Sequence, residues 1–413
     1  MKTFSGIVTY SLVLALAITG CGDSGDAAPV EPVDTQSDAA ASSDVAQPSD
    51  TLDVPASPTF AEVDDEVASF LSENSDIEGA AVLILHKDKG VLHRKAYGAF
   101  DEDRIYFVAS SSKMVAAGML NRLHDDGILD LYAPVADVVD WGSAHPEIAP
   151  VHLISNSSGL PGLTSETSPL GYGCQYDPDG EIEACAKEIF EAEIDASDTI
   201  VPPDTEFRYG GGQWQVAGGV AEAASGKSWA ELFTDIYGEP CGLTHSGFAH
   251  QYHFEGQENA AQNGFPYPVA FDSNLDNLVP TDNPLVEGGM YTTIDDYGKL
   301  LMMHLKGGLC GDVRVHDDAT IERMHADRVL EAYGGSTELG LMGLDGYGMG
   351  WFVDRTAEKF TVDPGAYGSF PYVDRTRNIA VLTVLEEAIL PGGLELYLRL
   401  KPLIEGLVDD LED

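Results

Sequence analysis

The sequence predicts an α+β fold in which an antiparallel β-sheet is flanked by helices and carries a mostly helical subdomain. Apolar runs at residues 80–85 and 91–97 surround a short polar segment, which is the pattern of an antiparallel hairpin. Further strand patterns occur near the other end of the chain, at residues 350–353, 370–373 and 379–385, followed by a helical pattern over about residues 394–407. The middle, residues 113–304, shows mostly helical patterns and loops rich in Gly and Pro. Strands from both ends can share one sheet only if this middle part forms a separate helical unit, so we expect the functional site at the boundary.

The charge of the chain limits its partners. Its 413 residues include 69 acidic and 22 basic residues, which gives a formal net charge of −47. Nucleic acids and anionic membrane surfaces are bound by clustered Lys and Arg, so the balance argues against both as partners. An acidic balance of this size is typical of a soluble, exported protein.

Residues 1–21 have the plan of a secretory signal, in which Lys2 precedes an apolar stretch that ends in Thr19-Gly20-Cys21. Small residues directly before a cysteine resemble the cleavage box of a bacterial lipoprotein. That resemblance implies a lipidated Cys21 that anchors the mature chain to a membrane of the cell envelope, on its periplasmic or surface side. The alternative is an ordinary secretory signal with an incidental cysteine.

Residues 22–59 consist largely of Asp, Ala, Ser, Pro and Gly, and they contain almost nothing large and apolar. Such a segment cannot bury enough surface to offset its chain entropy, so we expect a disordered acidic tether. Residues 60–413 then form the folded domain, which the tether would hold away from the membrane.

The stretch Ser110-Ser111-Ser112-Lys113 begins a predicted helix and is the most informative part of the chain. A hydroxyl and an amine three residues apart lie on the same helix face, where the amine can take the proton of the hydroxyl. The free N–H groups at a helix start also favour a developing oxyanion. This Ser-x-x-Lys arrangement predicts acyl transfer, with Ser110 as the nucleophile and Lys113 as a candidate base.

Tyr209 precedes three glycines and is the next candidate catalytic residue. A tyrosine phenol titrates near pH 10, but beside the Lys113 cation its phenolate is favoured, so we expect a lowered pKa. Tyr209 could then pass the Ser110 proton to a leaving group. The sequence leaves open whether Lys113 or Tyr209 is the general base, and a simply packed tyrosine is the alternative.

The glycine-rich segment at residues 362–374 supplies the remaining part of the predicted site. A strand rich in glycine can lie against a substrate and offer a backbone N–H as an oxyanion donor. We predict an oxyanion hole made by the N–H groups of Ser110 and Ala366, with Gly365 and Tyr367 against the substrate. A strand kink without catalytic duty is the alternative.

Four cysteines remain once Cys21 is set aside, and an even number in an exported chain indicates two disulfides. A Cys174–Cys185 bond would close a short loop over a turn, which would leave Cys241–Cys310 as the long-range pair. The spacing alone does not fix the connectivity, and free thiols stay open.

Together these motifs resemble the serine β-lactamase-related family of class C β-lactamases, penicillin-binding D,D-peptidases and esterases. The Ser110–Lys113 stretch matches the nucleophile motif of the family, and Tyr209-Gly-Gly211 sits where the family has Tyr-x-Asn. Asp363-Pro-Gly365 falls where Lys-Thr-Gly or His-x-Gly is usual. The likeness runs in the right order from about residue 60 to about residue 387. It implies the α+β fold described above and a Ser110 that is acylated and then deacylated by water, and we expect no cofactor or metal.

Three departures from the family pattern bear on the substrate. Gly211 replaces the asparagine that would hold a substrate amide, and Asn156 stands where many relatives carry histidine. At Asp363 a cation would attract a substrate carboxylate by about 4 kcal/mol at ~4 Å and an effective dielectric near 20, and an aspartate reverses the sign. Three arginines could compensate if one reached the cleft: Arg208, Arg375 and Arg377.

The departures leave two interpretations of function. The first is a serine hydrolase acting on a small-molecule or peptide-like ester or amide, with neutral substrates favoured over β-lactams. The second is a catalytically silent, membrane-tethered binding or sensor domain of the same fold, motivated by Gly211 and Asp363. The presence of Ser110, Lys113 and Tyr209 together favours the hydrolase.

Overall fold

A computed structural model of the chain describes residues 60–162, 173–192, 200–251, 253, 267–337, 339–340, 343–387 and 391–412. The predicted signal segment with Cys21 and the predicted tether at residues 22–59 lie outside the described residues. Within the described ranges, no helix combines the length and the apolar character needed to cross a membrane.

The main sheet has seven antiparallel strands in the order β2-β1-β12-β11-β10-β9-β8. The predicted hairpin is β1–β2, and the predicted C-terminal strands correspond to β9, β11 and β12, so both ends of the domain meet in one sheet as expected. Their bounds are β1 Gly79–His86, β2 Gly90–Gly98, β8 Gly346–Tyr347, β9 Phe352–Val353, β10 Phe360–Val362, β11 Phe370–Asp374 and β12 Ile379–Val384. Strand β9 starts later than expected because Gly350 has φ +79°, outside the extended range of a strand.

Strand β1 explains how the sheet is covered on both faces. It is apolar up to its last residue, His86, and buried along its whole length, and it pairs with β12 in a register that places Leu83 opposite Leu382. Successive side chains of a strand point to opposite faces. Leu83 accordingly packs in the core that includes Leu300 of helix α8 (Ile294–Leu305), whereas Val82 packs in a second core with helices α1 (Ala61–Glu73) and α11 (Gly392–Glu412).

Between β2 and α8 the described residues form mainly helices joined by long loops, as expected, together with a small sheet of order β3-β5-β4. Helix α2 packs against α5 within this part and begins at the predicted nucleophile motif. The remaining helices are α2 Lys113–Asp125, α3 Pro150–Ile154, α4 Ile182–Glu191, α5 Gly212–Ser225, α6 Trp229–Phe233, α7 Glu239–Cys241, α9 Asp318–His325 and α10 Arg328–Tyr333. The remaining strands are β3 Tyr106–Phe107, β4 Gly247–Phe248, β5 Met290–Thr292, β6 Leu309–Cys310 and β7 Val313–Arg314.

Two disulfides join neighbouring elements, and they are the two pairs that the sequence favoured. Cys174–Cys185 connects the 3₁₀ helix Gly173–Tyr176 to α4, and Cys241–Cys310 connects α7 to β6. The first holds Gln175, which enters the site described below.

The α+β architecture with an antiparallel sheet and a helical part is therefore confirmed.

Candidate active site

Ser110 lies in a 3₁₀ helix, Ala109–Ser112, that runs directly into α2. Of the three consecutive serines, only Ser110 is partly exposed, whereas Ser111 and Ser112 are fully buried. Ser111 Oγ donates to the carbonyl of Asp363 at 2.6 Å, and Ser112 Oγ donates to that of Ala109 at 2.6 Å. The two buried hydroxyls are thus used to fix the backbone, which leaves Ser110 as the serine that a substrate can reach.

The residue before the nucleophile is held in an unusual conformation. Ala109 has φ +46°, in the left-handed region where a residue with a Cβ is disfavoured by about 1–2 kcal/mol. Neighbouring hydrogen bonds impose it, because Val108 N–H donates to the carbonyl of Met290 at 3.1 Å and Met290 N–H donates to Ser112 Oγ at 3.0 Å. Strand β5 therefore clamps the turn that presents Ser110, and strain of this kind is common at functional sites.

Lys113 is the first residue of α2 and is 1% exposed. Its Nζ lies 3.0 Å from Ser110 Oγ and 2.9 Å from the carbonyl oxygen of Glu287. Burial lowers the pKa of Lys113 to about 8, because the charged ammonium loses its solvation in the interior. A substantial fraction of the amine is therefore neutral near pH 8 and able to accept a proton from Ser110.

Tyr209 completes the group that the sequence singled out. Lys113 Nζ lies 4.8 Å from the centre of its ring, and its phenol is near enough to the Ser110 side chain for Ser110 to lower the Tyr209 pKa. Burial raises the pKa of Tyr209 above its usual range. The expected lowering by Lys113 is therefore wrong, because the loss of solvation outweighs the influence of an amine that is itself largely stripped of water. Tyr209 is a neutral phenol at physiological pH.

Asn156 explains how the Tyr209 segment is positioned, a role that the sequence did not reveal. It is fully buried and has φ +53°, a conformation that asparagine tolerates better than most residues. Its Oδ1 accepts hydrogen bonds from Gln213 at 2.8 Å and Trp214 at 3.1 Å, and its backbone carbonyl accepts one from Arg208 N–H at 2.8 Å. Asn156 thus holds both sides of the Tyr209 turn.

Asp363 is placed differently from the sequence-based expectation. Its side chain is fully buried, and Oδ2 accepts a hydrogen bond from the backbone N–H of Met114 at 3.1 Å, in the first turn of α2. Burial raises the pKa of Asp363 well above its ordinary value, which favours the neutral acid over the carboxylate. The expected repulsion of a substrate carboxylate is therefore weakened by burial, and the site still lacks an attracting cation at this position.

None of the three arginines considered as substitutes supplies an uncommitted cation. Arg375 bonds Glu322 at 2.6 Å, and Arg377 bonds Asp374 at 2.8 Å. Arg208 donates to the carbonyl of Gly159 at 2.9 Å and pairs with Glu206. Each of these three guanidinium groups thus forms an ion pair with an acidic side chain.

The glycine-rich segment lies directly against the nucleophile. A Cβ at Gly365 would overlap the carbonyl oxygen of Val108 and would lie 3.0 Å from Ser111 Oγ, so only glycine permits this approach. Gly368 N–H donates to the carbonyl of Gly365 at 3.0 Å, which makes a tight turn with the partly exposed Ala366 inside it. The arrangement is compatible with an oxyanion hole of the Ser110 and Ala366 N–H groups, which stays a prediction.

Tyr367 is 1% exposed, and its hydroxyl accepts a hydrogen bond from Gln251 Nε2 at 2.8 Å. Its ring packs edge-on against Tyr267 with 5.2 Å between ring centres. In this structure Tyr367 supports the turn from behind, and its predicted contact with the substrate stays a prediction.

Gly211 lies opposite two polar residues that the sequence did not single out. A Cβ at position 211 would lie 2.7 Å from Glu287 Cδ, and its overlap would extend to Gln175 Nε2. Gln175 Nε2 donates a hydrogen bond to Glu287 Oε1. The space beside Gly211 is therefore filled by the side chains of Glu287 and Gln175. The signals in the sequence that could have indicated these residues are weak: Glu287 precedes two glycines, and Gln175 follows a cysteine.

Comparison with known proteins identifies the family of the chain. The Beta-lactamase family matches residues 64–389 of the chain. Penicillin-binding protein 4 of Amycolatopsis lactamdurans is 29% identical over 182 residues, which span 41% of this chain and 44% of that protein. The chain is thus aligned to less than half the length of this relative.

Two solved structures have the same architecture. A candidate beta-lactamase from Bacteroides dorei DSM 17855 superposes with a TM-score of 0.62 at 26% identity, over 79% of this chain and 90% of that one. EstCE1, a hydrolase with promiscuous acyltransferase activity, superposes with a TM-score of 0.59 at 17% identity, over 80% of this chain and 95% of that one. With most of its folded part matched, the chain belongs to the Beta-lactamase family of serine β-lactamase and penicillin-binding protein relatives.

Proposed function

We propose that this protein is a serine hydrolase that cleaves an ester or amide through an acyl-enzyme at Ser110. The observation that carries the proposal is the 3.0 Å approach of Lys113 Nζ to Ser110 Oγ, with an amine whose pKa burial lowers to about 8. A base works best when its pKa lies near the operating pH, and this amine meets that condition.

The chemistry follows from the three side chains. The neutral amine of Lys113 takes the proton of Ser110 as Oγ attacks the substrate carbonyl, and the N–H groups of Ser110 and Ala366 hold the oxyanion. Tyr209, a neutral phenol near Ser110, gives its proton to the leaving group and regains one from Lys113. Water then repeats the sequence on the acyl-enzyme and releases the acid.

The substrate is a neutral ester or amide rather than a carboxylate-bearing β-lactam. Asp363 is buried with a raised pKa, and Arg208 and Arg375 are each paired with an acid, so an attraction of about 4 kcal/mol for a substrate carboxylate is missing. A small-molecule or peptide-like acyl donor without a negative charge does not depend on this attraction, so its binding is unaffected.

Hydrolysis of matched substrates tests the proposal. Wild type is expected to hydrolyse p-nitrophenyl butyrate, whereas Ser110→Ala does not, and both should have the same circular dichroism spectrum. An acetylated D-alanyl-D-alanine should be cleaved no faster than its neutral C-terminal amide. If the folded wild type hydrolyses no ester or amide, the protein is a silent binding domain. Faster cleavage of nitrocefin than of the neutral ester would contradict the substrate preference.

We further propose that the chain is exported and anchored to the cell envelope through lipid on Cys21. The lipoprotein-like residues 1–21 support this, and the named penicillin-binding relative is consistent with an envelope protein. Metabolic labelling with palmitate should mark the wild type and not Cys21→Ala. No labelling of the wild type would leave an ordinary secretory signal as the explanation, and equal labelling of both would place the lipid on a residue other than Cys21.

A further inference from the structure

Glu287 touches the proposed base in a way that the mechanism above does not use. Its backbone carbonyl lies 2.9 Å from Lys113 Nζ, so the position of the lysine depends on how residue 287 is held. Its side chain occupies the space beside Gly211, where Gln175 Nε2 donates to Oε1. Gln175 is 1% exposed and follows Cys174 of the Cys174–Cys185 disulfide, so it is a rigid partner.

Two buried acceptors of this pair are left without a hydrogen bond among the described residues. They are Glu287 Oε2 and Gln175 Oε1. Burying a polar atom without a partner costs about 1–3 kcal/mol, so two such atoms on adjacent groups call for an explanation. One proton on Glu287 Oε2 supplies the missing donor, because Oε2–H can donate to Gln175 Oε1 while Gln175 Nε2–H donates to Oε1. A carboxylic acid and a carboxamide paired in this way form two hydrogen bonds in one ring.

The surroundings of the pair favour the neutral acid. The titratable groups around it are Lys113 from α2, Tyr209 before α5, Asp363 after β10 and His250 after β4. Burial raises the pKa values of Tyr209 and Asp363 and lowers the pKa of His250 to about 4, so burial disfavours a charge on each of these three neighbours. Burial also raises the pKa of Glu287, with only Lys113 as an opposing charge.

We propose that Glu287 and Gln175 form an acid–amide pair that holds one shared proton, fixes the carbonyl that positions Lys113, and keeps negative charge away from that lysine. The inference rests on the proposed function, since Lys113 is the base there. The chain of contacts runs from the Cys174–Cys185 disulfide through Gln175 and Glu287 to Lys113 and Ser110. Glu287 and Gln175 are positioning residues, and they touch neither substrate nor the reacting atoms.

Infrared spectroscopy tests the shared proton without any need for activity. Wild type at pH 7 should show the carbonyl band of neutral carboxyl groups. The part due to Glu287 should disappear in Glu287→Gln and remain in the matched variant Asp363→Asn, which removes the other buried neutral acid near Lys113. An unchanged neutral-carboxyl signal in Glu287→Gln would overturn the proposal.

The pH dependence of Ser110 labelling by a fluorophosphonate tests the effect on Lys113. If Glu287 is neutral, Glu287→Gln leaves the midpoint near that of wild type, because a neutral group replaces a neutral group. An ionised Glu287 would instead raise the Lys113 pKa, and its removal would lower the midpoint by about one unit or more, which would overturn the proposal.

Labelling rates test the positioning role. Glu287→Ala and Gln175→Ala should be labelled about tenfold more slowly, whereas Glu287→Gln, which can rebuild both hydrogen bonds with Gln175, should stay within about threefold of wild type. Equal rates for Gln175→Ala and wild type would contradict the role. If wild-type Ser110 is not labelled at all, the proposed function fails, and the infrared result still decides whether the pair exists.

Discussion

Replacing Lys113 with methionine should change how the stability of the protein depends on pH. Methionine has a similar length but no charge, so the variant lacks the cost of burying an ammonium group. In wild type, burial lowers the Lys113 pKa from 10.5 to about 8. Between these values the unfolded chain binds the proton more strongly than the folded chain, so the stability of wild type rises with pH across that window.

The magnitude follows from the two pKa values. The stability of wild type relative to Lys113→Met should increase by about 2 kcal/mol between pH 7 and pH 9.5. The hydrogen bonds that methionine cannot make with Ser110 and Glu287 add a cost that does not depend on pH and cancels in this difference. Groups that lie away from Lys113 titrate alike in both proteins.

Urea unfolding of both proteins at the two pH values, with the disulfides intact, measures this quantity. The difference in unfolding free energy between Lys113→Met and wild type should depend on pH, and at pH 9.5 it should be smaller or should favour wild type. The same difference at both pH values would refute the conclusion that Lys113 is buried with a lowered pKa, and with it the choice of Lys113 as the base.

Three further predictions concern the framework of the site. Gly365→Ala should destabilise the protein by about 1–3 kcal/mol in the same unfolding assay and should slow Ser110 labelling, because the new Cβ overlaps Val108. The control Gly406→Ala, whose Cβ meets nothing within 4 Å, should be neutral or slightly stabilising. Ala109→Gly should keep or raise the unfolding free energy, by up to about 1 kcal/mol, since glycine accepts φ +46° without strain, and a clear loss of stability would contradict the strained turn. Replacing both cysteines of a disulfide with serine should lower the unfolding free energy by about 3 kcal/mol for Cys174–Cys185 and about 4 kcal/mol for Cys241–Cys310, because the bonds close loops of 11 and 69 residues. If thermal unfolding showed the larger loss for Cys174–Cys185, loop-closure entropy would not explain the stabilisation.

The main sheet was predictable because its longer strands are strongly apolar. The hairpin of β1 and β2 and the strands β11 and β12 stand out as apolar runs bounded by turn residues. Strands β8 and β10 were missed, since two or three residues carry no periodicity that could distinguish a strand from a loop. The hydrophobic pattern of the sequence therefore predicts the longer strands, whereas the short strands form only because they pair with neighbours in the folded sheet.

The candidate site was predictable where its chemistry is local in sequence. Ser110 and Lys113 lie one helical turn apart, so spacing alone brings them together. The state of Tyr209 and Asp363 was not predictable, because both pKa values are raised by burial, a property of the folded chain rather than of their neighbours in sequence. Glu287 and Gln175 are 112 positions apart, and nothing in their local sequence shows that they meet.

In the proposed mechanism the hydroxyl of Ser110 forms a covalent acyl-enzyme because Lys113 removes its proton. Incubation of the wild type with a fluorophosphonate at pH 8, followed by mapping of the adduct by mass spectrometry, tests this step. One adduct is expected, on Ser110, that is absent from Ser110→Ala and forms about a hundredfold or more slowly in folded Lys113→Met. An adduct on another residue, or equal labelling of wild type and Lys113→Met, would contradict it.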